Sequence, residues 1–356
     1  MTTKVAVVPI RTHYEEAFHQ AVSLLGGMDA LNTPDREVTI KVGVFDPRSR
    51  HHASPECVRA LTALFDRAPR IYLAESDNYC GKALDRIHYC YQEILSERVV
   101  PFNLSDDPNA RLMPIAGEEQ MAVASILLKP RVLVSVHVLR SFVKGSVLKN
   151  LFGCTPTIQK ARYHQTAIFA NQLADLYQAA GGIDLAVLDG AYLHFSATEK
   201  YIPMNLLIVG RDAVAVEAVG AVLAGLKPEK VQPIPEFVRR GLGEADLDNI
   251  EIVGITTQEY AQFKKAHREL KKIVAAAPKA PSVSRTIDQL VEEGWFDHYR
   301  RASEVVDELK KRGVNNATPE LVGTTLKRRT GKTLERSKDG RTPIYRHLTA
   351  GTPEGS

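Results

Sequence analysis

The sequence contains few cysteines, and they are not grouped. Four cysteines are spread over 356 residues, and none is paired with another in a CxxC arrangement. This spacing argues against a disulfide framework and against a zinc ribbon, and it fits a reducing cytoplasm. The clustered cysteines that hold an iron–sulfur cluster are missing as well, so we do not expect such a cluster.

Long apolar runs are missing too. The run Val5–Ile10 is shorter than the apolar part of a signal peptide and predicts a buried strand. The run Ala213–Leu226 is interrupted by Glu217 and is shorter than the roughly 20 residues that a membrane helix needs. The sequence therefore predicts a cytoplasmic protein without a membrane segment. Neither glycine-rich nucleotide motif occurs, which argues weakly against a nucleotide ligand.

The composition is that of an ordinary globular protein. Hydrophobic residues make up 44% and charged residues 25% of the chain, whose length suits one large α/β domain and a small module. The formal net charge of +4 permits nucleic acid or anionic ligands without requiring either. The local distribution of charge therefore carries more information than the total.

Residues 1–255 alternate between short β-branched runs and amphipathic segments of helical length. This alternation predicts one α/β domain with a mostly parallel or mixed sheet and flanking helices. The predicted strands are Val5–Pro9, Val38–Val44, Arg70–Glu75, Val99–Leu104, Arg131–Val138, Leu185–Leu188, Asn205–Val209 and Glu251–Val253. The predicted helices are Tyr14–Leu25, Pro55–Asp66, Lys82–Ser96, Glu118–Leu128, Tyr163–Ala180, Ala213–Ala224 and Pro235–Arg240.

The character of the chain changes after residue 255. Residues 256–281 are predicted to form a polar helical linker that ends in alanines and prolines. Residues 282–349 are predicted to form three helices and a hairpin that turns at Asp339-Gly340, and residues 350–356 a flexible tail. This pattern resembles a winged helix, with Pro319–Arg329 as the recognition helix and the hairpin as the wing.

Basic residues are concentrated on these last elements. They suit phosphate contacts from the helix end and the wing, while two threonines of the helix can face bases. The predicted DNA contacts are Thr324, Thr325, Lys327, Arg328, Arg329, Lys338 and Arg341. The alternative is that a winged helix serves protein contact or homo-oligomer formation, with its basic residues merely solvated.

Three stretches, Val147–Gly153, Asp212–Leu226 and Gly241–Leu247, resemble the family called domain of unknown function 362. The resemblance covers about residues 5–254 and implies the fold rather than a reaction. The departures from the family pattern fall at polar positions. Lys41 is kept without the proline and asparagine that usually follow it, and a glycine-rich segment survives as Asp189-Gly190. These departures leave open a different ligand, or none.

A cation and an amide, Lys149 and Asn150, precede the apolar pair Leu151-Phe152. At a strand end of an α/β sheet such a pair can hold a carboxylate or a phosphate, together with Lys41. The alternative is a solvated lysine and an asparagine that caps a turn.

A second basic group, Lys160, Arg162 and His164, lies near the start of a predicted helix. Unpaired backbone N–H groups there add positive potential, so the group is predicted to favour an anion. Equally, His164 can be an ordinary surface residue.

Two carboxylates, Glu75 and Asp189, follow apolar strands. Carboxylates in that position bind metals or orient substrates in open α/β sheets, although Asp189 can instead form a local turn with Gly190. Asp212 is predicted to cap the following helix, and Glu217 needs a partner if it is buried.

Two functions follow from these candidates. The first is a two-domain protein whose α/β domain binds a small anionic or metal-bound ligand while its winged helix contacts double-stranded DNA. The alternative is an enzyme assisted by a divalent metal, in which Lys149, His164, Asp189 and Glu75 converge and the winged helix serves oligomerisation or protein contact. A scaffold with a degenerate site is a third possibility. The first two require Lys149, His164 and Asp189 to share one crevice.

Overall fold

The computed structural model describes residues 2–116, 118–154, 166–195, 201–263, 265 and 282–348, without the side chains of residues 118, 119, 166 and 167. The chain divides into two compact units, residues 1–272 and 273–356. Neither unit contains, among these residues, a helix long and apolar enough to cross a membrane.

The first unit is built on a sheet of eight strands. Its described strands in chain order are β1 (Thr3–Pro9), β2 (Val38–Lys41), β3 (Ile71–Glu75), β4 (Val99–Asn103), β5 (Arg111–Ile115), β6 (Glu118–Val123), β7 (Val132–Ser141), β8 (Leu185–Phe195), β9 (Tyr201–Gly210) and β10 (Ile250–Val253). The order in the large sheet is β10-β1-β9-β8-β7-β2-β3-β4. All of these strands are parallel except β9, which is antiparallel to both neighbours. The predicted mostly parallel α/β sheet is confirmed.

Helices cover both faces of this sheet. They are α1 (Tyr14–Leu24), α2 (Pro55–Ala63), α3 (Ala83–Tyr91), α4 (Thr166–Ala179), α5 (Ala213–Leu223) and α6 (Pro233–Arg239), and a short 3-10 segment spans Lys149–Cys154. One buried core joins the sheet to α1, α2 and α3, and a second joins it to α4, α5, α6 and the 3-10 segment. Because side chains alternate along a strand, Val38 and Ile40 face the first core while Thr39 and Lys41 face the second.

The chain reverses its direction across the sheet between β2 and β7. From β2 it proceeds outward to β3 and β4, whereas from β7 it proceeds to β8 and β9 on the other side. The β2–β7 ladder ends at the pair Lys41–Ser135, and β7 continues six residues beyond it. In open α/β sheets, ligands bind where neighbouring strands diverge in this way at their carboxyl ends.

One predicted helix is wrong. The segment Glu118–Leu128 forms strand β6 and a 3-10 turn at Ser125–Leu127. Strand β6 pairs with β5 in an antiparallel hairpin, and these pairings override the helical spacing of the apolar residues. Strand β8 also continues past its predicted end at Leu188 to Phe195, because the antiparallel β9 pairs with it over that length.

Over residues 282–348 the second unit contains three helices and a small sheet. They are α7 (Val283–Glu292), α8 (Ala302–Lys311) and α9 (Pro319–Arg329), with strands β11 (Arg300–Arg301), β12 (Leu334–Asp339) and β13 (Thr342–His347) in the antiparallel order β11-β13-β12. Thr318 caps α9 by accepting a hydrogen bond from the Leu321 amide, and Pro319 occupies the first helical position. The unit has its own core, which includes Ile287, Leu290 and Phe296.

Candidate functional site

Lys41 lies where the β2–β7 ladder ends, and its amine is buried. Its Nζ atom lies 2.7 Å from Glu75 Oε1 and 3.1 Å from Asn150 Oδ1. Glu75 Oε1 also accepts a hydrogen bond from the Ser76 amide at 2.9 Å. A Cβ atom on Gly153 would lie 2.7 Å from Lys41 Nζ and 3.1 Å from Glu75 Oε1. The 3-10 segment therefore approaches this ion pair so closely that a side chain at position 153 would have to displace the Lys41 amine.

Asn150 joins the two diverging strands. Its Nδ2 atom lies 2.8 Å from the Lys41 carbonyl oxygen on β2 and 3.2 Å from the Val136 carbonyl oxygen on β7. It also lies 3.2 Å from Ser135 Oγ. Both carbonyls lie at the end of the β2–β7 ladder, where the Asn150 amide supplies a hydrogen-bond donor. Asn150 thus fills the divergence between β2 and β7, called the crevice below, and the buried Lys41, His137 and Asn150 form its floor.

His137 is buried on β7 as part of this floor. Its Nδ1 atom accepts a hydrogen bond from the Val138 amide at 2.8 Å, which places the ring proton on Nε2. Burial, and then the nearby cations Arg140 and Lys149, lower the pKa of His137 well below its usual range. His137 is therefore a neutral ring at physiological pH. Gly43, with φ of 66°, leaves room for it, because a Cβ there would lie 2.8 Å from the ring.

Lys149 lies at the rim of the crevice and is half-buried. Its Nζ atom lies 5.7 Å from the centre of the Phe142 ring, and it makes no ion pair with any other described residue. Burial, then the positive charges of Arg140, Lys144 and Lys41, lower the pKa of Lys149 to about 7. The cause is a local excess of positive charge in a poorly solvated place.

Two further cations belong to this rim. Arg140 donates to the Gly145 carbonyl at 2.6 Å and to Ser146 Oγ at 3.2 Å, and its guanidinium lies 4.9 Å from the Phe142 ring. The Lys144 amine lies 5.8 Å from the centre of the Phe169 ring. Our sequence interpretation selected neither residue. Arg140 belongs to the segment Val136–Phe142, which stands just before the Val147–Gly153 stretch where the family often has a Pro-Lys-x-Lys-x-His sequence.

Glu217 of α5 fixes the loop that carries this rim. Its two carboxylate oxygens accept hydrogen bonds from the Ser146 amide at 2.8 Å and the Leu148 amide at 2.9 Å. The side chain is buried, and this burial raises the pKa of Glu217. These contacts supply the partner that the sequence required for a buried Glu217. They also join two of the three family-like stretches in space.

The third stretch contacts the start of the same helix. Asp212 Oδ1 caps α5 by accepting hydrogen bonds from the Val214 and Ala215 amides, which confirms the predicted cap. Asp212 Oδ2 accepts one from the Glu244 amide at 2.8 Å. A Cβ on Gly243 would lie 2.4 Å from Asp212 Oδ1. The three stretches therefore interlock around α5 and position the rim of the crevice.

Asp189 does not join this cluster. It faces α1 and α2 on the other side of the sheet, where its Oδ1 atom accepts hydrogen bonds from the Tyr14 hydroxyl at 2.6 Å and the Ala191 amide at 3.1 Å. Its Oδ2 atom accepts from the Ser54 amide at 2.8 Å and hydroxyl at 2.9 Å. Burial and the carboxylate raise the pKa of Tyr14, which keeps that donor protonated. Asp189 fastens two helix starts to β8.

The remaining predicted ligands and metal residues are placed as follows. Lys160, Arg162 and His164 lie outside the described residues. Within the described part of the chain, no three or more His, Cys, Asp or Glu side chains are grouped so that they could hold a metal ion. Glu75 is paired with Lys41, and Asp189 is engaged by four donors of the chain itself. Metal binding by these two carboxylates stays a prediction.

An aromatic and histidine cluster lies near the α2 side of β8. The rings of His51 and His194 are 5.0 Å apart, and Arg50 donates to the Tyr201 hydroxyl at 3.1 Å. Burial and the neighbouring His51 lower the pKa of His194 to about 3. His194 packs as an aromatic ring against His51, Tyr192 and Tyr201.

The predicted DNA-contacting residues of helix α9 differ in whether they are exposed or engaged within the second unit. Thr324, Lys327 and Arg328 are exposed. Arg329 instead bonds to Asp288 Oδ1 at 2.7 Å and to Ser284 Oγ at 2.8 Å on α7.

Thr325 is buried and donates to the Leu321 carbonyl at 2.7 Å. Of the predicted DNA contacts, Thr325 and Arg329 are therefore engaged in holding the unit together.

Charges are sorted between the two faces of the hairpin. Glu335 accepts hydrogen bonds from Arg346 and Tyr299, and Asp339 pairs with Arg301. The side chains of Arg336 and Lys338 alternate with these acids and so lie on the opposite face, where both are exposed. Exposed Arg341 follows at the turn.

A separate open groove of about 620 Å³ lies beside α6 and is lined by Ile234, Val238 and Leu247 among others. The groove is mainly apolar. The cluster of buried polar groups, rather than this groove, marks the candidate site.

Three comparisons with known proteins bear on the family of this chain. No curated protein is significantly similar to the chain. A crystal structure of a structural-genomics target from Thermotoga maritima is similar at 14% sequence identity and a TM-score of 0.35, over 60% of this chain and 58% of that one. The model of the family described as Domain of unknown function (DUF362) matches residues 38–222. Because this match spans more than half of the chain, the protein belongs to the DUF362 family.

Proposed function

We propose that the first unit binds a small anionic ligand at the carboxyl ends of β2 and β7. The observation that carries this proposal is the excess of cations at the rim. Lys41 is paired with Glu75, and Glu217 is engaged by backbone amides, whereas Lys144 and Lys149 make no ion pair among the described residues. A carboxylate or phosphate in the crevice would balance these charges in a poorly solvated place.

Titration with inorganic phosphate, sulfate and small carboxylic acids tests this proposal. We expect Lys149→Met to weaken binding of the preferred anion at least tenfold in calorimetry, because it removes one of the two lysine charges that have no ion-pair partner among the described residues. The matched control is Lys4→Met, which removes an exposed lysine of β1, a strand separated from β7 by β8 and β9 in the sheet. Equal affinities of the two variants would refute the anion site.

We propose in addition that the second unit is a winged helix that contacts the backbone of double-stranded DNA. The order of its elements, one helix, a short strand, two helices and a hairpin, supports this assignment. The separation of acidic and basic side chains onto opposite faces of the hairpin supports DNA as its ligand. Glu335 and Asp339 are neutralised on one face by Arg346 and Arg301, which leaves the basic residues of the other face available for phosphates.

Two arginines of the hairpin give a matched test. Arg336→Ala should weaken binding to duplex DNA, since it removes one phosphate contact. It should also make the slope of log affinity against log salt concentration shallower by about one. Arg346→Ala should leave both unchanged, because Arg346 is held by Glu335 on the opposite face. Fluorescence anisotropy at several salt concentrations measures both. Unaltered affinity after deletion of residues 282–356 would refute DNA binding by this unit.

The metal-assisted enzyme has less support. It requires Asp189 to converge with Lys149 and Glu75, and Asp189 faces α1 and α2 instead. Elemental analysis of the purified protein gives the decisive measurement for this alternative, because a stoichiometric divalent metal would revive it.

A further inference from the structure

We propose that the loops after β2 and β3, together with exposed tyrosines of β8 and β9, form a stacking surface for single-stranded DNA. This surface uses exposed rings and arginines, none of which belongs to the anion site at the crevice. The inference therefore goes beyond the proposed function of the first unit. Its choice of DNA over RNA rests on the DNA contact proposed for the second unit.

Two aromatic rings protrude together from the loops after β2 and β3. Phe45 is 47% exposed and Tyr79 is 85% exposed, and the centres of their rings lie 5.0 Å apart in an edge-to-face contact. Both rings therefore offer apolar faces to the solvent. A nucleobase stacks on such a face whatever its identity, which makes exposed rings the usual platform for a single strand.

A second aromatic group joins the other end of the β2 loop to β8 and β9. Arg50 donates to the Tyr201 hydroxyl at 3.1 Å, and its guanidinium lies 5.2 Å from the centre of the Tyr201 ring. The Tyr192 ring lies 4.9 Å from that of Tyr201, and both residues are more than a third exposed. An arginine beside exposed rings supplies a charge for a phosphate and a planar face for a base.

The loop between the two aromatic groups carries a net positive charge. Arg48 and Arg50 are exposed, and neither forms an ion pair with another residue that the structure describes. Asp46 is the one acid in the sequence from Phe45 to Ala53, and it accepts a hydrogen bond from the Arg48 amide at 3.0 Å. These charges complement a phosphate backbone. An uncharged partner such as an oligosaccharide would use the rings but not the arginines.

The loops after β2 and β3 are tied to each other by Arg86 of α3. Its guanidinium is buried and donates to the carbonyl oxygens of Val44 in one loop and Ser76 in the other. Asn78 Nδ2 adds a hydrogen bond of 3.0 Å to the Phe45 carbonyl. Because these contacts fix the loops in the free protein, binding does not have to order them, and less affinity is lost.

The dimensions of the surface suit a short single strand. Phe45 and Arg50 are five residues apart, so their Cα atoms lie no more than about 18 Å from each other. Stacked nucleotides rise about 3.4 Å each along one strand, so about five of them cover this distance. In a duplex the base faces are stacked on one another. Only a single strand can therefore offer them to these rings.

Fluorescence anisotropy of the full-length protein with a labelled oligothymidylate of about 12 nucleotides tests the inference. We expect Tyr79→Ala to weaken binding about tenfold at an unchanged salt dependence, because it removes a stacking face and no charge. Arg50→Ala should weaken binding and also make the slope of log affinity against log salt concentration shallower by about 0.7, since it removes one phosphate contact.

Two control variants match these substitutions. Leu112→Ala removes an exposed apolar side chain from the separate two-stranded sheet. Arg70→Ala removes an exposed arginine that directly precedes β3 and so lies at the opposite edge of the large sheet. Both should bind the oligonucleotide as the natural protein does. Tyr79→Ala protein that binds as tightly as Leu112→Ala protein would overturn the inference.

Further variants separate this surface from the two sites already proposed. Arg336→Ala and Lys149→Met should leave oligothymidylate binding unchanged. If Arg336→Ala weakens it and Tyr79→Ala does not, the second unit holds the single strand, so this inference fails and the duplex contact stands. If Lys149→Met alone weakens it, the strand binds at the anion site and this inference again fails. Tighter binding of oligouridylate RNA of the same length would overturn the choice of DNA.

Ultraviolet crosslinking locates the bound strand without any substitution. After irradiation of the natural protein with the oligothymidylate, peptide mass spectrometry should find the adduct on peptides that contain Phe45, Tyr79 or Tyr201. Adducts confined to residues 282–348 would overturn the inference.

Discussion

Gly153 has no side chain at the place where the 3-10 segment passes over the Lys41–Glu75 ion pair. A methyl group there would lie 2.7 Å from the Lys41 amine, and the amine has no room to retreat because it is enclosed. We expect Gly153→Ala to displace Lys41 from Glu75 and Asn150 and to lower the free energy of unfolding by about 1–3 kcal/mol. Denaturant unfolding of the purified variant measures this change.

The control for that substitution is Gly323 in the interior of α9. A Cβ at Gly323 would have no neighbour within 4 Å. Gly323→Ala should therefore stabilise its helix by up to about 1 kcal/mol, since alanine is the better helix former. A Gly153→Ala variant as stable as the natural protein would show that the crevice has more room than the structure indicates.

Single residues were only partly predictable from the sequence. Lys41, Glu75 and Asn150 were selected because they follow strands or belong to a family-like stretch, and the structure brings them together. Asp189 was expected beside them, yet it faces the other side of the sheet. Successive side chains of a strand point to opposite faces of the sheet, so the face that a residue takes depends on its position in the strand. We placed Asp189 just after the end of β8, whereas β8 continues to Phe195 and Asp189 lies within it.

At the scale of elements, Asp189 fastens α1 and α2 to the sheet. Replacing it with alanine leaves the Tyr14 hydroxyl and the Ser54 amide without their acceptor in a buried place. We expect Asp189→Ala to cost about 2–4 kcal/mol of unfolding free energy, and Tyr14→Phe about 1 kcal/mol. Thermal and denaturant unfolding measure both changes.

The ligand affinity of the same variants decides between anchoring and catalysis. If Asp189 only anchors helices, folded Asp189→Ala protein should bind phosphate or sulfate as the natural protein does. A large loss of affinity with unchanged stability would instead place Asp189 in the ligand site, against its contacts with Tyr14 and Ser54.

Helices and strands with a clear local sequence pattern were predictable, whereas strands that form because a distant or preceding strand pairs with them were not. The parallel strands β2 and β3 are buried on both faces and are rich in β-branched and apolar residues, and the helix α5 begins after its capping residue Asp212. The apolar residues of the segment Glu118–Leu128 are spaced as in a helix. The segment instead forms strand β6, which pairs with the preceding strand β5 in an antiparallel hairpin. The sequence pattern within residues 118–128 carries no information about such a partner strand.

The whole molecule combines two compact units, each with its own core. A ligand that binds only the folded form of a unit stabilises that unit by mass action, by about 2.7 kcal/mol at a hundred times its Kd. We therefore expect the preferred small anion to slow amide hydrogen exchange in peptides from residues 38–222. Duplex DNA should slow exchange in peptides from residues 282–348.

Hydrogen exchange with mass spectrometry resolves these two responses in one intact protein. Lys149→Met should abolish the response to the anion and keep the response to DNA, whereas Arg336→Ala should weaken only the response to DNA. The charges that bind each ligand belong to a different unit, so each substitution changes one binding free energy. If one substitution removed both responses, the assignment of separate ligands to the two units would be wrong.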